Sequence, residues 1–293
     1  MALVIDFHFH AGLYHEYHPW VIEWMKTQIE DPEAFVNSVL TPEGIARYLR
    51  ENGVDYAVAL AELSPITTGM LSNEVVAEVC RDVDCLIPFC SINPFLVADL
   101  AGELERYVTE MDFRGLKLYP TYQHFYANDN RLYPLYAKAQ ELRIPVMIRT
   151  GSSIFRGARL KYGDPLYMDD VAVDFPDLTL LMAHSGRGFW YDQAYFLAKL
   201  HANVYMEISG LPPQKLLDYF PELERVADKV VFGSDWPGMP HIKHNIELIR
   251  SLPLSEETKE KILGGNAARI LGMTNEPCTE PCPEQSRRGS RSE

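Results

Sequence analysis

The sequence predicts an α/β protein, a (β/α)8 TIM barrel with a lid insertion after the first strand. Three observations support this fold class: eight short apolar or β-branched runs recur, helical patterns separate them, and the repeats fill nearly the whole chain. Such an alternation predicts parallel strands. Eight units favour a closed barrel over a doubly wound open sheet.

The predicted elements follow one another in a regular order. The strand candidates are LVIDFHF, DYAVALA, CLIPFCSI, RGLKLY, IPVMIRT, LTLLMA, NVYMEIS and KVVFGSD. Apolar residues at i, i+3 and i+4 indicate helices in TPEGIARYLRENG, SNEVVAEVCRDV, VADLAGELERYVTEM, NRLYPLYAKAQELR and WYDQAYFLAKLHAN. One helix has clear boundary signals, because Thr41 and Pro42 suit an N-cap and a first-turn proline, and Gly53 suits the end.

One domain is expected over residues 1–273, since a single barrel of this length is ordinary. The longest insertion, HEYHPWVIEWMKTQIEDPEAFVNSV, follows the first strand, and its aromatic residues favour a lid over the barrel mouth. Residues 274–293 are rich in Pro, Glu, Ser and Arg without periodicity, which predicts a disordered tail. Cys278 and Cys282 lie there without the further ligands that a metal site needs.

The charge balance points to a small-molecule ligand. The chain has 41 acidic and 27 basic residues and a formal net charge of −14, which disfavours nucleic acid and anionic membranes as partners. The five cysteines are expected to be reduced thiols of a cytoplasmic protein. We find neither a signal-peptide pattern nor an apolar run long enough to span a membrane. Whether the protein forms a homo-oligomer stays open.

The polar residues at strand ends indicate where the chemistry lies, because TIM-barrel sites form at the C-terminal ends of the strands. These residues are His8 and His10 on the first strand, Lys117 and Tyr119 on the fourth, Arg149 on the fifth, His184 on the sixth and Asp235 on the eighth. Period-2 counting places Lys117 and Arg149 on the barrel-facing side.

The opening segment carries two histidines that converge. In a regular strand Asp6, His8 and His10 share one face, while Phe7 and Phe9 share the other. Alone, an H-x-H pattern is more often a solvated strand tip.

Together, His8, His10, His184 and Asp235 predict a site for Zn²⁺ or another divalent ion. Each has a simpler reading alone, such as a backbone-bonded His184 or an Asp235 that caps a helix. Jointly they favour a metal, because buried imidazoles and carboxylates without partners would be costly.

Five segments resemble a known family: D-F-H-F-H, GLKLYP, LLMAHSG, FGSDWP and GGNAARILG. Together they resemble the amidohydrolase superfamily, in the amidohydrolase-related branch that includes aminocarboxymuconate semialdehyde decarboxylase, resorcylate decarboxylases and lactone hydrolases. The resemblance spans residues 1–273.

The resemblance implies a barrel of the metal-dependent hydrolase type. By position, His8, His10 and Asp235 would be metal ligands, and Asp235 would also take the proton of the attacking water. His184 would be the second catalytic residue, bonding to the reacting water or substrate, or holding a second ion in binuclear members. The implied cofactor is one divalent ion, with Zn²⁺ the first choice.

Arg149 departs from the family pattern, which has a histidine ligand at this position. A guanidinium cannot bind a cation but suits a substrate carboxylate, and a structural pair with Asp6 or Glu207 is equally compatible. Lys117 could bind a carboxylate or, if carbamylated, bridge two metals. Tyr119 and Trp236 complete the expected substrate-binding set, with Trp236 and Pro237 forming a rigid turn after Asp235.

The expected function is therefore metal-dependent hydrolysis of a small carboxylate-bearing amide, ester or lactone through a metal-activated water. Non-oxidative decarboxylation of an aromatic or muconate-type acid is the alternative within enzymes. A barrel that has lost its chemistry and only binds ligands is the second alternative, suggested by Arg149 alone.

Overall fold

All eight runs assigned to strands form β-strands in the computed structural model, which describes residues 2–81 and 83–273. They pair in parallel, in chain order, around one sheet. The barrel strands are β1 (Ile5–Phe9), β2 (Tyr56–Leu60), β5 (Leu86–Ser91), β6 (Gly115–Leu118), β7 (Val146–Arg149), β8 (Leu180–Ala183), β9 (Val204–Glu207) and β10 (Val230–Val231), and a hairpin of β3 (Glu62–Ser64) and β4 (Gly69–Leu71) follows β2.

Hydrogen bonds between the last and first strands close the barrel. Phe7 N donates to Phe232 O at 2.9 Å, and Asp235 N donates to His8 O at 2.9 Å. The Asp6 carboxylate adds to this seam, since its Oδ1 accepts from His8 N at 3.0 Å and from Ser234 N at 2.8 Å. The predicted (β/α)8 fold is confirmed.

The helices surround the sheet, and each of the five helical patterns in the sequence contains one of them. The helices are α1 (Pro19–Met25), α2 (Pro32–Val39), α3 (Pro42–Glu51), α4 (Asn73–Cys80), α5 (Leu100–Met111), α6 (Pro120–Gln123), α7 (Tyr133–Glu141), α8 (Met168–Asp174), α9 (Tyr191–Leu200), α10 (Leu216–Tyr219), α11 (Ile242–Ser251), α12 (Glu256–Glu260) and α13 (Asn266–Leu271). The predicted cap on α3 is confirmed, because Thr41 Oγ1 accepts from Gly44 N at 3.0 Å.

The barrel has an interior core and an outer core between strands and helices. Leu116 packs in the outer core, while Lys117 pairs in register with Met147 of the interior core. Arg149 pairs in register with Ala183, which also lies in the interior core. The predicted barrel-facing positions of Lys117 and Arg149 are therefore confirmed.

The predicted alternation in β1 is wrong. Phe7 packs in the interior core, but Phe9 packs in the outer core, so the two rings do not share a face. Asp6 pairs with Ala57 and Phe9 with Ala59, so three residues of β1 span two residues of β2. This irregularity of the β-bulge kind inserts one residue and re-aims the side chains that follow it.

The insertion after β1 contains α1 and α2, and its first part is hydrogen-bonded to the β3–β4 hairpin. Tyr17 forms a β-bridge with Gly69, His18 N donates to Thr68 O at 2.9 Å, and Trp20 Nε1 donates to Thr67 O at 2.6 Å. These bonds fix the start of α1 beside the barrel mouth. That the insertion opens and closes as a lid stays a prediction.

Two expectations fall partly or wholly beyond this description. The predicted disordered tail, residues 274–293 with Cys278 and Cys282, lies outside the described residues. Among the residues that are described, no helix has both the length and the apolar character that crossing a membrane requires.

Candidate active site

Two histidines and an aspartate meet at the floor of the barrel mouth. Oδ1 of Asp235 lies 3.4 Å from His8 Nε2 and 3.4 Å from His10 Nε2. The candidate ligand atoms of these three residues all lie within 4.8 Å of one another. Asp235 reaches this point from a turn after β10, where its φ is +70°. The fold thus brings together the three residues that the sequence assigns as metal ligands.

The orientation of His8 suits a cation. His8 Nδ1 lies 3.0 Å from Glu207 Oε2, which assigns the ring proton to Nδ1 and leaves a lone pair on Nε2. Nε2 is buried and has no hydrogen-bond partner among the described residues. Burial, with the nearby Lys117 charge, lowers the pKa of His8 to about 4, so the ring is neutral at pH 7. A lone pair facing a carboxylate oxygen fits a cation between them.

A second group of candidate ligands, His8, His184 and Glu207, lies deeper in the barrel. Ser209 Oγ joins them, at 2.8 Å from His8 Nδ1, 3.0 Å from His184 Nδ1 and 2.9 Å from Glu207 Oε2. Because these atoms already form hydrogen bonds with one another, we assign the cation site to the first group.

A buried carboxylate also faces His10. Glu62 in β3 is 4% exposed, and its Oε2 lies 3.5 Å from His10 Nδ1. Its Oε1 accepts a hydrogen bond from the Thr68 hydroxyl. Each of the two histidines therefore has a glutamate beside its Nδ1, Glu207 beside His8 and Glu62 beside His10, while its Nε2 faces Asp235.

Arg149 is held on the other side of the mouth. Its Nη1 bonds to His184 Nε2, its Nη2 donates to Ser152 O at 3.4 Å, and its guanidinium carbon lies 4.2 Å from the Tyr122 ring centroid. It forms no ion pair with any carboxylate in residues 2–81 and 83–273, so the expected alternative of a pair with Asp6 or Glu207 is wrong.

Both ring nitrogens of His184 have hydrogen-bond partners. It lies in a tight turn after β8 with a φ of +64°. Its Nδ1 lies 3.0 Å from Ser209 O, while Nε2 accepts from Arg149. Burial and the charges of Arg149 and Arg187 hold the pKa of His184 well below its ordinary value, so the ring is neutral. In this arrangement His184 orients Arg149, and its predicted part in proton transfer stays a prediction.

Three expected substrate contacts lie behind the pocket surface. Lys117 Nζ lies 2.8 Å from Met147 Sδ, and burial lowers the pKa of Lys117 to about 7. The Tyr119 hydroxyl donates to Ala61 O at 2.8 Å, and the Trp236 ring stacks on Phe9 at 4.2 Å between centroids. None of Lys117, Tyr119 and Trp236 is among the described residues that line the pocket. Direct contact with substrate stays a prediction for all three.

The pocket above the floor has a volume of about 310 Å³. Its apolar wall comes from α1, through Val21, Trp24 and Met25, and from Phe155 after β7. Its polar wall carries the two arginines already named, Arg149 and Arg187.

Sequence reasoning missed Arg187 and Glu62 as functional candidates, and it considered Glu207 only as a structural partner of Arg149. Glu207 ends its strand in the way that Arg149 does, so the same strand-end rule could have found it. Arg187 and Glu62 lie beyond strand ends, in a turn and in the hairpin, where periodicity gives no signal.

Comparisons with known proteins identify the family of this chain. Residues 5–273 match the Amidohydrolase family. The γ-resorcylate decarboxylase of Polaromonas sp. strain JS666 is 24% identical over 224 residues, which cover 59% of this chain and 66% of that protein, just under two thirds. The 2-keto-4-carboxy-3-hexenedioate hydratase of Sphingobium sp. strain SYK-6 is 23% identical over 274 residues, covering 77% of this chain and 80% of that protein.

A solved structure gives the same result for the fold. The TIM-barrel protein Bb4693 from Bordetella bronchiseptica, described as uncharacterized, matches with a TM-score of 0.76 at 26% identity, covering 92% of this chain and 98% of that one. The chain therefore belongs to the amidohydrolase family and is an enzyme of the amidohydrolase superfamily, as its motifs predict.

Proposed function

We propose that this enzyme hydrolyses an amide, ester or lactone bond in a small carboxylate-bearing substrate, with one divalent ion, Zn²⁺ before other metals. The observation that carries the proposal is the convergence of His8 Nε2, His10 Nε2 and the Asp235 carboxylate at the floor of the pocket. When bound by these residues, a divalent ion supplies positive charge that polarises a substrate carbonyl.

Asp235 is the proton acceptor in this proposal. Its side chain is 20% exposed, so water can reach it at the pocket floor. Although burial raises its pKa, the hydrogen bond with His10 brings the pKa well below the ordinary value. The carboxylate is therefore ionised at neutral pH, and it can take the proton of the attacking water and return it to the leaving group.

Arg149 anchors the substrate carboxylate. Its stacking on Tyr122 and its bond to His184 fix the plane of the guanidinium, and a fixed fork suits a carboxylate. Trp236, stacked on Phe9, positions Asp235 from behind. The Tyr119 ring stacks on Tyr122 at 6.1 Å between centroids, and Lys117 Nζ lies 5.3 Å from the Tyr119 ring centroid, so both residues lie behind the ring that holds Arg149.

Decarboxylation of an aromatic or muconate-type acid is the second candidate. The apolar wall formed by Val21, Trp24, Met25 and Phe155 would accept a flat conjugated ring. The similarity to γ-resorcylate decarboxylase also favours this reaction. Asp235, with His184, would then take a proton from water or from a substrate hydroxyl and pass it to the carbon that loses CO₂.

One experiment separates these functions. Purified protein is stripped with a chelator, reloaded with Zn²⁺ or Mn²⁺, and screened with lactones, N-acyl amides and hydroxybenzoic acids, while hydrolysis products are quantified by chromatography and CO₂ release is measured separately. We expect metal-dependent hydrolysis of a lactone or amide, and a loss of at least about 100-fold in Asp235→Asn. Asp192→Asn, an exposed change on α9, is the matched control.

The outcomes are distinct. CO₂ release without hydrolysis would favour the second candidate. Protein that takes up neither metal and turns over none of the compounds would favour the barrel that only binds ligands.

A further inference from the structure

Two arginines, Arg149 and Arg187, share the polar wall of the pocket. Arg149 is 4% exposed, and Arg187 follows β8 after the turn that carries His184. Their Nη2 atoms donate to the same oxygen, Ser152 O, at 3.4 Å and 3.1 Å. In the part of the chain that the structure describes, neither guanidinium forms an ion pair with an acidic side chain.

This arrangement is unfavourable without an anion. Buried charges in proteins are normally paired, because removing a charge from water is unfavourable. Here two like charges lie beside one another, and burial together with the Arg149 charge lowers the pKa of Arg187 although Asp235 opposes this shift. A carboxylate between the guanidiniums would neutralise the repulsion and accept the N–H groups that face the pocket.

Gly210 leaves room for Arg187 beside the reacting residues. Its φ is +65°, and a Cβ at this position would overlap Arg187 Nη1. The same point lies 3.2 Å from Asp235 Oδ2. The arginine wall and the proposed proton acceptor therefore border one small volume, and a larger residue at 210 would push the guanidinium out of it.

We propose that Arg149 and Arg187 form a carboxylate clamp that holds a carboxylate which does not react, next to the group that reacts at Asp235. The substrate class is then a compact acid with two functional groups on neighbouring or alternate carbons of a flat apolar skeleton. The placement of the reacting group rests on the proposed function, whereas binding of an anion by the two arginines can be measured without catalysis.

The test measures binding of three probes by calorimetry: benzamide, benzoate and isophthalate, which carry none, one and two carboxylates. Zn²⁺-loaded wild type should bind isophthalate about tenfold or more tighter than benzoate, and benzamide weakest, since each charge-assisted hydrogen bond contributes strongly. Arg187→Gln should weaken isophthalate binding about 10- to 100-fold. Arg156→Gln removes an exposed charge from the same side of the molecule and should change nothing.

A second variant and further measurements show whether a loss of isophthalate binding comes from the missing clamp or from a change in the fold. Gly210→Ala keeps the charge but displaces Arg187, so it should weaken isophthalate binding too, and thermal melting checks the fold of each variant. Equal isophthalate affinity in Arg187→Gln and Arg156→Gln would overturn the clamp. Zn²⁺ uptake is titrated in parallel: wild type that binds isophthalate through Arg187 but takes up no Zn²⁺ would keep the clamp and reject the metal-dependent function.

Discussion

The two sides of the barrel mouth are opposite in their chemistry. The β10–β1 side presents acceptors, with the lone pair of His8 Nε2 facing Asp235. The β7–β8 side presents donors, with Arg149 and Arg187 converging on one carbonyl oxygen. Among the described residues, no cation pairs with the Asp235 side and no carboxylate forms an ion pair with the arginine side. The difference teaches that the site is preorganised for a pair of opposite charges, a cation on one side and an anion on the other.

Two buried histidines show the same contrast. His8 bonds through Nδ1 to Glu207 and Ser209, and its Nε2 has no hydrogen-bond partner within residues 2–81 and 83–273. His184 uses both nitrogens, one beside the Ser209 carbonyl and one toward Arg149. The residue type is identical, so the difference comes from the neighbours that each ring meets, and only His8 retains a lone pair for a cation.

The largest expected effect comes from removing that lone pair. His8→Ala should weaken Zn²⁺ binding by more than about 100-fold, beyond the loss typical when only an outer partner of a ligand is changed. Calorimetry with Zn²⁺ measures the affinity, and His241→Ala, an exposed histidine at the start of α11, is the control. Undiminished Zn²⁺ affinity in His8→Ala would remove the acceptor side of the comparison.

Changing the neighbour of His8 tests the origin of the contrast. Glu207→Gln keeps the size of the side chain but lets an amide donate to Nδ1, which would move the ring proton to Nε2. We expect a 10- to 100-fold loss of Zn²⁺ affinity, the range for outer partners of metal ligands. Glu222→Gln, on the surface, is the matched control. A wild-type affinity would mean that Glu207 does not set the tautomer.

Arg149→His converts a donor of the β7–β8 side into an acceptor. Losing a guanidinium near the cation site should raise Zn²⁺ affinity about tenfold and lower benzoate affinity about tenfold. Both affinities are measured on one preparation, with Arg156→Gln alongside. If neither changes, Arg149 is structural and its role as an anchor is wrong.

The last expected effect is on stability rather than on binding, and it concerns Lys117, the ammonium inside the barrel. Its folded pKa of about 7 lies below the ordinary 10.5. Between pH 10.5 and 7 the unfolded chain binds this proton and the folded protein does not, so wild type should lose stability as pH falls, by about 1.4 kcal/mol per pH unit. Lys117→Met should lack this slope in urea unfolding at pH 7.5–10 without metal, whereas parallel slopes would contradict the lowered pKa.

Much of the acceptor side could be predicted from the sequence. Parallel barrels place all strand ends at one mouth, and the last strand lies beside the first, so eight recognised strands predict that His8, His10 and Asp235 lie near one another. The barrel-facing positions of Lys117 and Arg149 could also be predicted, because every second side chain of a strand points to the same face.

The remainder depends on backbone geometry that periodicity does not encode. One extra residue in β1 separates Phe7 from Phe9, and nothing in DFHFH marks the irregularity. Arg187 reaches the pocket because His184 and Ser185 adopt φ values of +64° and +44°, which are rare for residues other than glycine. Glu62 depends on the hairpin, whose two strands of three residues are too short to show a pattern.

The β3–β4 hairpin contributes both to the candidate metal site and to the position of the apolar wall of the pocket. It supplies Glu62 to His10, and it receives the backbone bonds that seat α1, the apolar wall. A substitution in the hairpin that moves α1 therefore also disturbs Glu62, and with it the candidate ligand His10. Phe155, after β7, packs edge-on against Trp24 of α1 at 5.2 Å between ring centroids, but its own segment supplies no carboxylate to His10. New substrate preferences should therefore accumulate on the Phe155 side of the pocket, while the hairpin side stays constrained across descendants.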